Sequence, residues 1–335
     1  ILSVMGATYF TVLAFLAPIT LVICDESRMD KLTGAVAINC GALAGGNFPT
    51  SNLGVIFRGL ADTAFEASPD VAAVNTFGME MKIFIFSVVF SLILVTIFRF
   101  GFKENRNIGK GVTFKKPEAF TKDQKLTLSL MMIMMVVVLI FPLLQVLMPD
   151  NAAIKYISSK VDVGLVAIIF AVIALLLKLA PQKEAIARIP WNTIVMIAGA
   201  GMLIAVAVEA GTIEALSTWI GSNVPKPLVP IAFSIVGAIM SFFSSTTGVV
   251  APALFPLIPN LAASAGLSAS ALFACTVIGA QSSAISPFSS GGSLILGSTP
   301  HEEDRNTLFN RLLMVAVPIS VIFGAVYNFV IAMVL

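Results

Sequence analysis

Long apolar runs alternate with short polar connections along this chain, and the runs at 79–99, 127–148, 162–180, 191–209 and 311–335 carry charged residues only near their ends. Each is close to the about 20 residues that a helix needs to cross a hydrocarbon core, so each is predicted to span a membrane. Two further stretches, 33–60 and 270–300, are also long enough but are interrupted in their middles by Gly, Pro, Ser and Asn. A different pattern covers 226–262. There two apolar arms, each read as too short to span, flank Ser244-Ser245-Thr246-Thr247-Gly248, with Pro252, Pro256 and Pro259 in the second arm. Proline removes an amide donor and glycine permits unwinding, and lipid cannot satisfy the backbone groups so freed. The pattern therefore predicts broken helices at 33–60 and 270–300 and a re-entrant hairpin at 226–262, all lining a protein-enclosed space.

The chain also resembles itself. Residues 1–60 align without a gap to 239–298 at an offset of 238, with 12 of 60 positions identical. The matches include Thr8/Thr246, Pro18/Pro256, Gly41/Gly279, Pro49/Pro287, Ser51/Ser289, Gly54/Gly292 and Gly59/Gly297, which are the punctuation of a membrane helix rather than its apolar filler. The helix at 79–99 then corresponds to the one at 311–335. Counting crossings from 79–99 brings 311–335 through the membrane in the opposite sense, the inverted-repeat pattern of secondary transporters. The expected fold class is an all-α integral membrane protein with two re-entrant hairpins and two broken transmembrane helices. Its expected divisions are 1–98, a partial first repeat; 99–126, a basic cytoplasmic linker; and 127–335, the second repeat, with three helices, the hairpin 226–262, the broken helix 270–300 and the final helix 311–335. The three helices and first hairpin arm of the second repeat have no counterpart before Ile1. The first repeat is accordingly expected to lack its N-terminal part, and the chain start, inside an apolar stretch, reads as cut.

Composition agrees with this picture: 58% of residues are hydrophobic and 11% charged, against roughly a quarter charged in soluble domains. A net charge of +2 argues against nucleic acid as a partner. The basic residues give orientation. Arg99, Lys103, Arg106, Lys110, Lys115, Lys116, Lys122 and Lys125 crowd the 99–126 connection, which the positive-inside rule assigns to the cytoplasm of a multi-pass protein of the cell (inner or plasma) membrane. Lys178, Lys183 and Arg188 mark a second inside loop, whereas 61–78 carries Asp62, Glu66 and Asp70 and suits the outer face. Cys24, Cys40 and Cys275 have no paired spacing and are predicted to be packing residues, not a disulfide framework or metal site.

The breaks are where chemistry is expected. The first reads Gly45-Gly46-Asn47-Phe48-Pro49-Thr50-Ser51-Asn52-Leu53-Gly54, and the second runs from Gln281 to Gly292 with Ser282, Ser283, Ser286, Ser289 and Ser290. Hydroxyls, amides and half-helix N-termini facing a cavity favour anions. The nearest cation, Arg58, is predicted to snorkel to the interface rather than bind cargo. Glu80, Lys82, Asp162 and Glu209 lie at helix ends and are predicted to be solvated, which leaves no titratable group in mid-membrane for proton antiport. Sodium, held by carbonyls and hydroxyls, is then the expected coupling ion, and no other cofactor or metal is expected. His301 falls in a polar loop, and no nucleophile with a base is evident, so no enzyme and no catalytic residue is expected.

On GGNFPTSNLGVIFRGL at 45–60, SSTTGVVAPALFPLIPN at 244–260 and the break at 281–292, the sequence resembles the ion transporter superfamily, which includes divalent-anion:sodium symporters, and within it the MatC-type malonate and dicarboxylate carriers. The resemblance implies a scaffold and a transport domain, often in a homodimer, with substrate and sodium between hairpin tips and broken helices. Substrate-binding residues on that basis are Thr8, Thr50, Ser51, Asn52, Ser245, Thr246, Thr247, Ser289 and Ser290. Cation-binding residues are Asn47, Ser51, Gly54, Ser244, Ser286 and Ser290. The hairpin tips of the symporter branch carry Ser-Asn-Thr, where this chain has Ser245-Thr246-Thr247 and Ala7-Thr8. The expected function is sodium-coupled secondary transport of malonate- or succinate-like dicarboxylates by alternating access, the alternative being a cation:proton antiporter or another anion permease of the same superfamily.

Overall fold

The two polar interruptions read from the sequence fall between helices, at 47–51 and at 283–289. A computed structural model describes residues 1–27, 29–101, 119–148, 163–187, 222–299 and 302–334, with isolated positions between 151 and 219. Among the described residues there are helices and turns but no strand. The chain divides into two units, one formed by Ile1–Val112 with Thr193–Leu335 and the other by Thr113–Asn192.

In the first unit, α1 (Tyr9–Ser27), α2 (Lys31–Gly46), α3 (Asn52–Glu66) and α4 (Thr76–Gly101) are followed, after residue 222, by α8 (Val229–Phe242), α9 (Thr246–Ala265), α10 (Ala269–Ser282), α11 (Ser290–Gly297) and α12 (Glu303–Val334). The second unit contains α5 (Lys122–Leu147), α6 (Val163–Leu176) and the short α7 (Gln182–Ala187). There α5 starts on a capping box, with Thr121 and Gln124 each satisfying the other's backbone amide, and it packs against α6. The predicted helix at 191–209 lies, save for isolated positions, outside the described residues, as does most of the 99–126 connection.

The 238-residue offset reappears as local structure. Asp30 caps α2 by accepting from Leu32 N, and Ser268, its counterpart, caps α10 by accepting from Ala271 N. Both broken helices resume at matched positions, Asn52 and Ser290. The two final helices, α4 and α12, meet through stacked Phe90 and Phe323 and a Tyr327 hydroxyl donated to Phe86 O at 2.9 Å. The copies are tied at one end by charge as well: Arg311 of α12 reaches Asp30 with both nitrogens, and Lys31 bridges Asp25 and Asp304 at 2.8 Å each.

Burial follows membrane logic. On α4, Ile83, Ser87, Phe90, Leu94 and Phe98 are buried while Ile85, Val89, Leu92 and Ile93 are exposed. On α12, Ile322, Val326, Val330 and Met333 face outward too. Such continuous apolar stripes are unsustainable in water and suit lipid. One expectation needs correction. The returning hairpin arm, α9, is 20 residues long and apolar enough to span, joining α4 and α12 as the helices that meet both criteria among the described residues. Its prolines stand at starts of short helical segments, where a missing amide costs little, so they bend the helix without ending it. Its most apolar stretch is 72% buried within the protein, unlike α4 at 28%, so α9 is sheathed by protein. The other arm, α8, has 14 residues and rises roughly 21 Å, short of a span as expected.

Candidate functional site

Each break is built on the same set of hydrogen bonds. In the first copy Phe48 N donates to Gly45 O and Ser51 N to Phe48 O; in the second Ser286 N donates to Ser283 O and Ser289 N to Ser286 O. The serine hydroxyls repeat the match. Ser51 donates to Gly46 O and sits 2.9 Å from Phe48 O, while Ser289 lies 2.6 Å from Ala284 O and 2.8 Å from Ser286 O. The hydroxyl thereby takes up carbonyls that a continuous helix would have satisfied with amides. Gly54 and Gly292 complete the turn, because a Cβ on either would stand 2.1 Å from Phe48 O or 2.0 Å from Ser286 O. No side chain fits at these points.

The copies interlock. Besides its neighbours within the first copy, α3 packs along α9 from the Thr246–Val250 turn onward, with Phe57 against Phe255 at 5.8 Å. Reciprocally, α1 packs against α11. There the Tyr9 hydroxyl donates to Asn39 Oδ1 at 2.6 Å and occupies the space a Cβ on Gly291 would need. The hairpin arm of each copy thus lies on the broken helix of the other. At the centre, Asn47 and Gln281 exchange hydrogen bonds both ways at 2.9 and 2.8 Å, and Asn47 also donates to Ser87 Oγ at 2.8 Å. These buried amides are fully engaged, and they join the start of one break to the start of the other.

Of the predicted substrate residues, Ser51, Thr246, Thr247 and Ser289 are buried; Thr8, Thr50, Asn52 and Ser245 are half-buried; Ser290 is exposed. At the second tip Thr246 pairs with Ser241 and Thr247 with Ser245, each at 3.2 Å, and Ser245 accepts from Gly248 N. Thr8 pairs with Thr11 at 2.8 Å. The hydroxyls are therefore mutually bonded, an arrangement that can rotate to receive an anion without leaving a donor stranded. Of the predicted cation residues, Asn47 and Ser286 are fully buried, Gly54 is packed beneath Phe48 O, and Ser244 donates to Met240 O at 2.6 Å. A groove of about 340 Å³ beside Phe242, Phe243, Ser283 and Val321 is almost wholly apolar and does not suit a carboxylate.

One charged residue departs from expectation. Glu80 is not solvated: it is fully buried on α4, and neither carboxylate oxygen has a hydrogen-bond partner among the described residues. Its helix begins at Thr76, so Glu80 stands inside the first turns rather than at the end, on the face that carries Ile83 and Ser87 inward. Arg58 is half-buried on α3. Its side chain leans back along α3, as helical side chains do, donates from Nη1 to Pro49 O at 3.3 Å, and lies over Phe77 at 5.2 Å. Lys82 and Glu209 are exposed as expected, and Asp162 and His301 lie outside the described residues. Cys24, Cys40 and Cys275 are buried free thiols, as packing requires.

The sequence pattern of the family described as CitMHS, citrate transporter, matches residues 1–279 and again 153–335, which together cover the chain. No curated protein matches the sequence.

Proposed function

Because this chain belongs to the CitMHS citrate transporter family, whose members are transporters and not enzymes, we propose that it carries carboxylate anions of the citrate class across a membrane as a secondary transporter. The observation that carries this reading is the pair of matched breaks, each with its own serine-bonded turn and each covered by the hairpin arm of the other copy. An anion entering there meets hydroxyls, amides and half-helix N-termini, the groups that replace water around a carboxylate. The two copies are inserted in opposite senses and move as one body in alternating access. The amide exchange between Asn47 and Gln281 and the ion pairs of Asp30 and Lys31 support such joint movement. Malonate and succinate are the narrower cargo candidates, the cell membrane the location, and a homodimer the assembly.

Sodium is the first coupling ion of this proposal, held around Asn47, Ser51, Gly54, Ser244, Ser286 and Ser290. A second reading, proton coupling, is favoured by Glu80, since the argument for sodium began from the absence of a buried acid. The test is uptake of radiolabelled citrate, malonate and succinate by the full-length protein in proteoliposomes, with sodium and proton gradients imposed separately. Saturable uptake of at least one acid, driven by one gradient, is expected. Ohmic anion current without saturable uptake would make the protein a channel instead.

A further inference from the structure

Helix α6 ends in a turn that the chain also builds at the end of α9. Lys178 N donates to Leu175 O at 3.0 Å and Leu179 N to Ala174 O at 3.1 Å; in the other turn Gly266 N donates to Ala263 O at 3.3 Å and Leu267 N to Ala262 O at 2.9 Å. Both turns need a left-handed residue, with φ of 55° at Lys178 and 63° at Gly266. Glycine takes that conformation freely, whereas a residue with a side chain adopts it at a cost. Lys178 is the non-glycine residue with positive φ among the described residues, so the backbone gives no reason for a lysine there. The side chain does. It stands at a groove of about 610 Å³ walled by Val172, Leu175 and Leu176 and rimmed by Lys178, Pro181 and Gln182, with no acid among these residues.

Two of the wall residues, Val172 and Leu176, form an exposed row with Ile168 at one-turn spacing, a surface that suits acyl chains rather than water. Lys178 opens the stretch 178–188, where Lys178, Lys183 and Arg188 outnumber the single acid Glu184. That stretch is the second connection read as cytoplasmic from its basic residues, on the side where the leaflet carries anionic lipid. We propose that the groove binds one anionic phospholipid, its acyl chain along Val172 and Leu176 and its phosphate at Lys178. A soluble anion would leave the aliphatic wall uncovered, and a zwitterionic lipid would bring a cation of its own to the lysine.

The left-handed turn makes the proposal testable, because glycine can replace the lysine without disturbing the backbone. The full-length protein in detergent is titrated with phosphatidylglycerol or phosphatidylcholine, and bound lipid is counted by native mass spectrometry. The unaltered protein should retain phosphatidylglycerol in preference. K178G should unfold at the same temperature or higher in lipid-free detergent, yet bind phosphatidylglycerol roughly fivefold more weakly, the share of one basic residue near an anionic headgroup. K178Q, which keeps a long side chain, should show the same loss, and K178R should bind like the unaltered protein. Leu176→Trp, which fills the groove, should lower retention of both lipids. Phosphatidylglycerol held no better than phosphatidylcholine, undiminished binding in K178G and K178Q, or unchanged retention in Leu176→Trp would overturn the proposal. Displacement of the lipid by glycerol 3-phosphate alone would overturn it too, by making the groove a site for soluble phosphates.

Discussion

The two breaks share a backbone and differ in chemistry. Gly45 to Gly54 and Ser283 to Gly292 close the same turn with the same amide and hydroxyl bonds, yet the first carries a buried amide in Asn47 and the cation Arg58, where the second carries Ile285 and Leu296. What repeats is the part set by geometry: a carbonyl that allows no Cβ, and a serine that answers the freed carbonyls. What varies is the side chains that the turn itself does not use. Duplication thus preserves a cradle, and recognition is free to concentrate in one copy.

That comparison breaks most sharply at the glycines. Gly54→Ala and Gly292→Ala each drive a Cβ into a backbone carbonyl, and both should cost more than the ~1–3 kcal/mol typical of overpacking. The next matched pair, Gly59 and Gly297, has open space at the same test position, so Ala there should leave thermal unfolding of the detergent-purified protein nearly unmoved. A large loss in only one of Gly54→Ala and Gly292→Ala would mean that the copies are not equally built. Smaller, and specific to the junction, is the amide exchange. Asn47→Ala leaves Gln281 buried without its partner and should destabilise by about 1–3 kcal/mol, and Gln281→Ala should do the same. Unfolding of the double variant should show a loss well below the sum of the two, since both singles break one interaction. The smallest effect concerns the matched threonines. Thr246→Val should weaken citrate binding by about tenfold, the ~1.5 kcal/mol of one hydrogen bond to a charged group. Isothermal titration of Thr8→Val then sharpens the comparison: an equal loss assigns equal shares to the two copies, and no loss places recognition on one side.

The positions of the breaks and hairpin arms were legible because Pro, Gly and Ser interrupt apolar runs locally, and Asp30, Ser51, Ser268 and Ser289 stand where helices begin. The interlock of α1 with α11 and of α3 with α9 was not, since it joins residues more than 150 positions apart and leaves no local period. Asn47 and Gln281 illustrate this: each reads alone as a polar interruption, and only the fold makes them one another's partner. Glu80 was legible and was missed. The residues Phe77, Glu80, Ile83, Ser87, Phe90, Leu94 and Phe98 recur at intervals of three and four, so the acid falls on the inward stripe. Judging it by distance from the end of the apolar run, instead of by face, placed it in water.

The exchange of hydrogen bonds between Asn47 and Gln281 has an electrical side. Both groups are neutral, so a membrane potential, which does ~2.3 kcal/mol of work per elementary charge for each 100 mV crossed, exerts no net force on this pair. The same voltage acts on the charge of Arg58 and on any charged cargo of the proposed transport. The amide pair therefore adds nothing to the charge moved in a transport cycle, and the current measured per cargo molecule would carry no contribution from it.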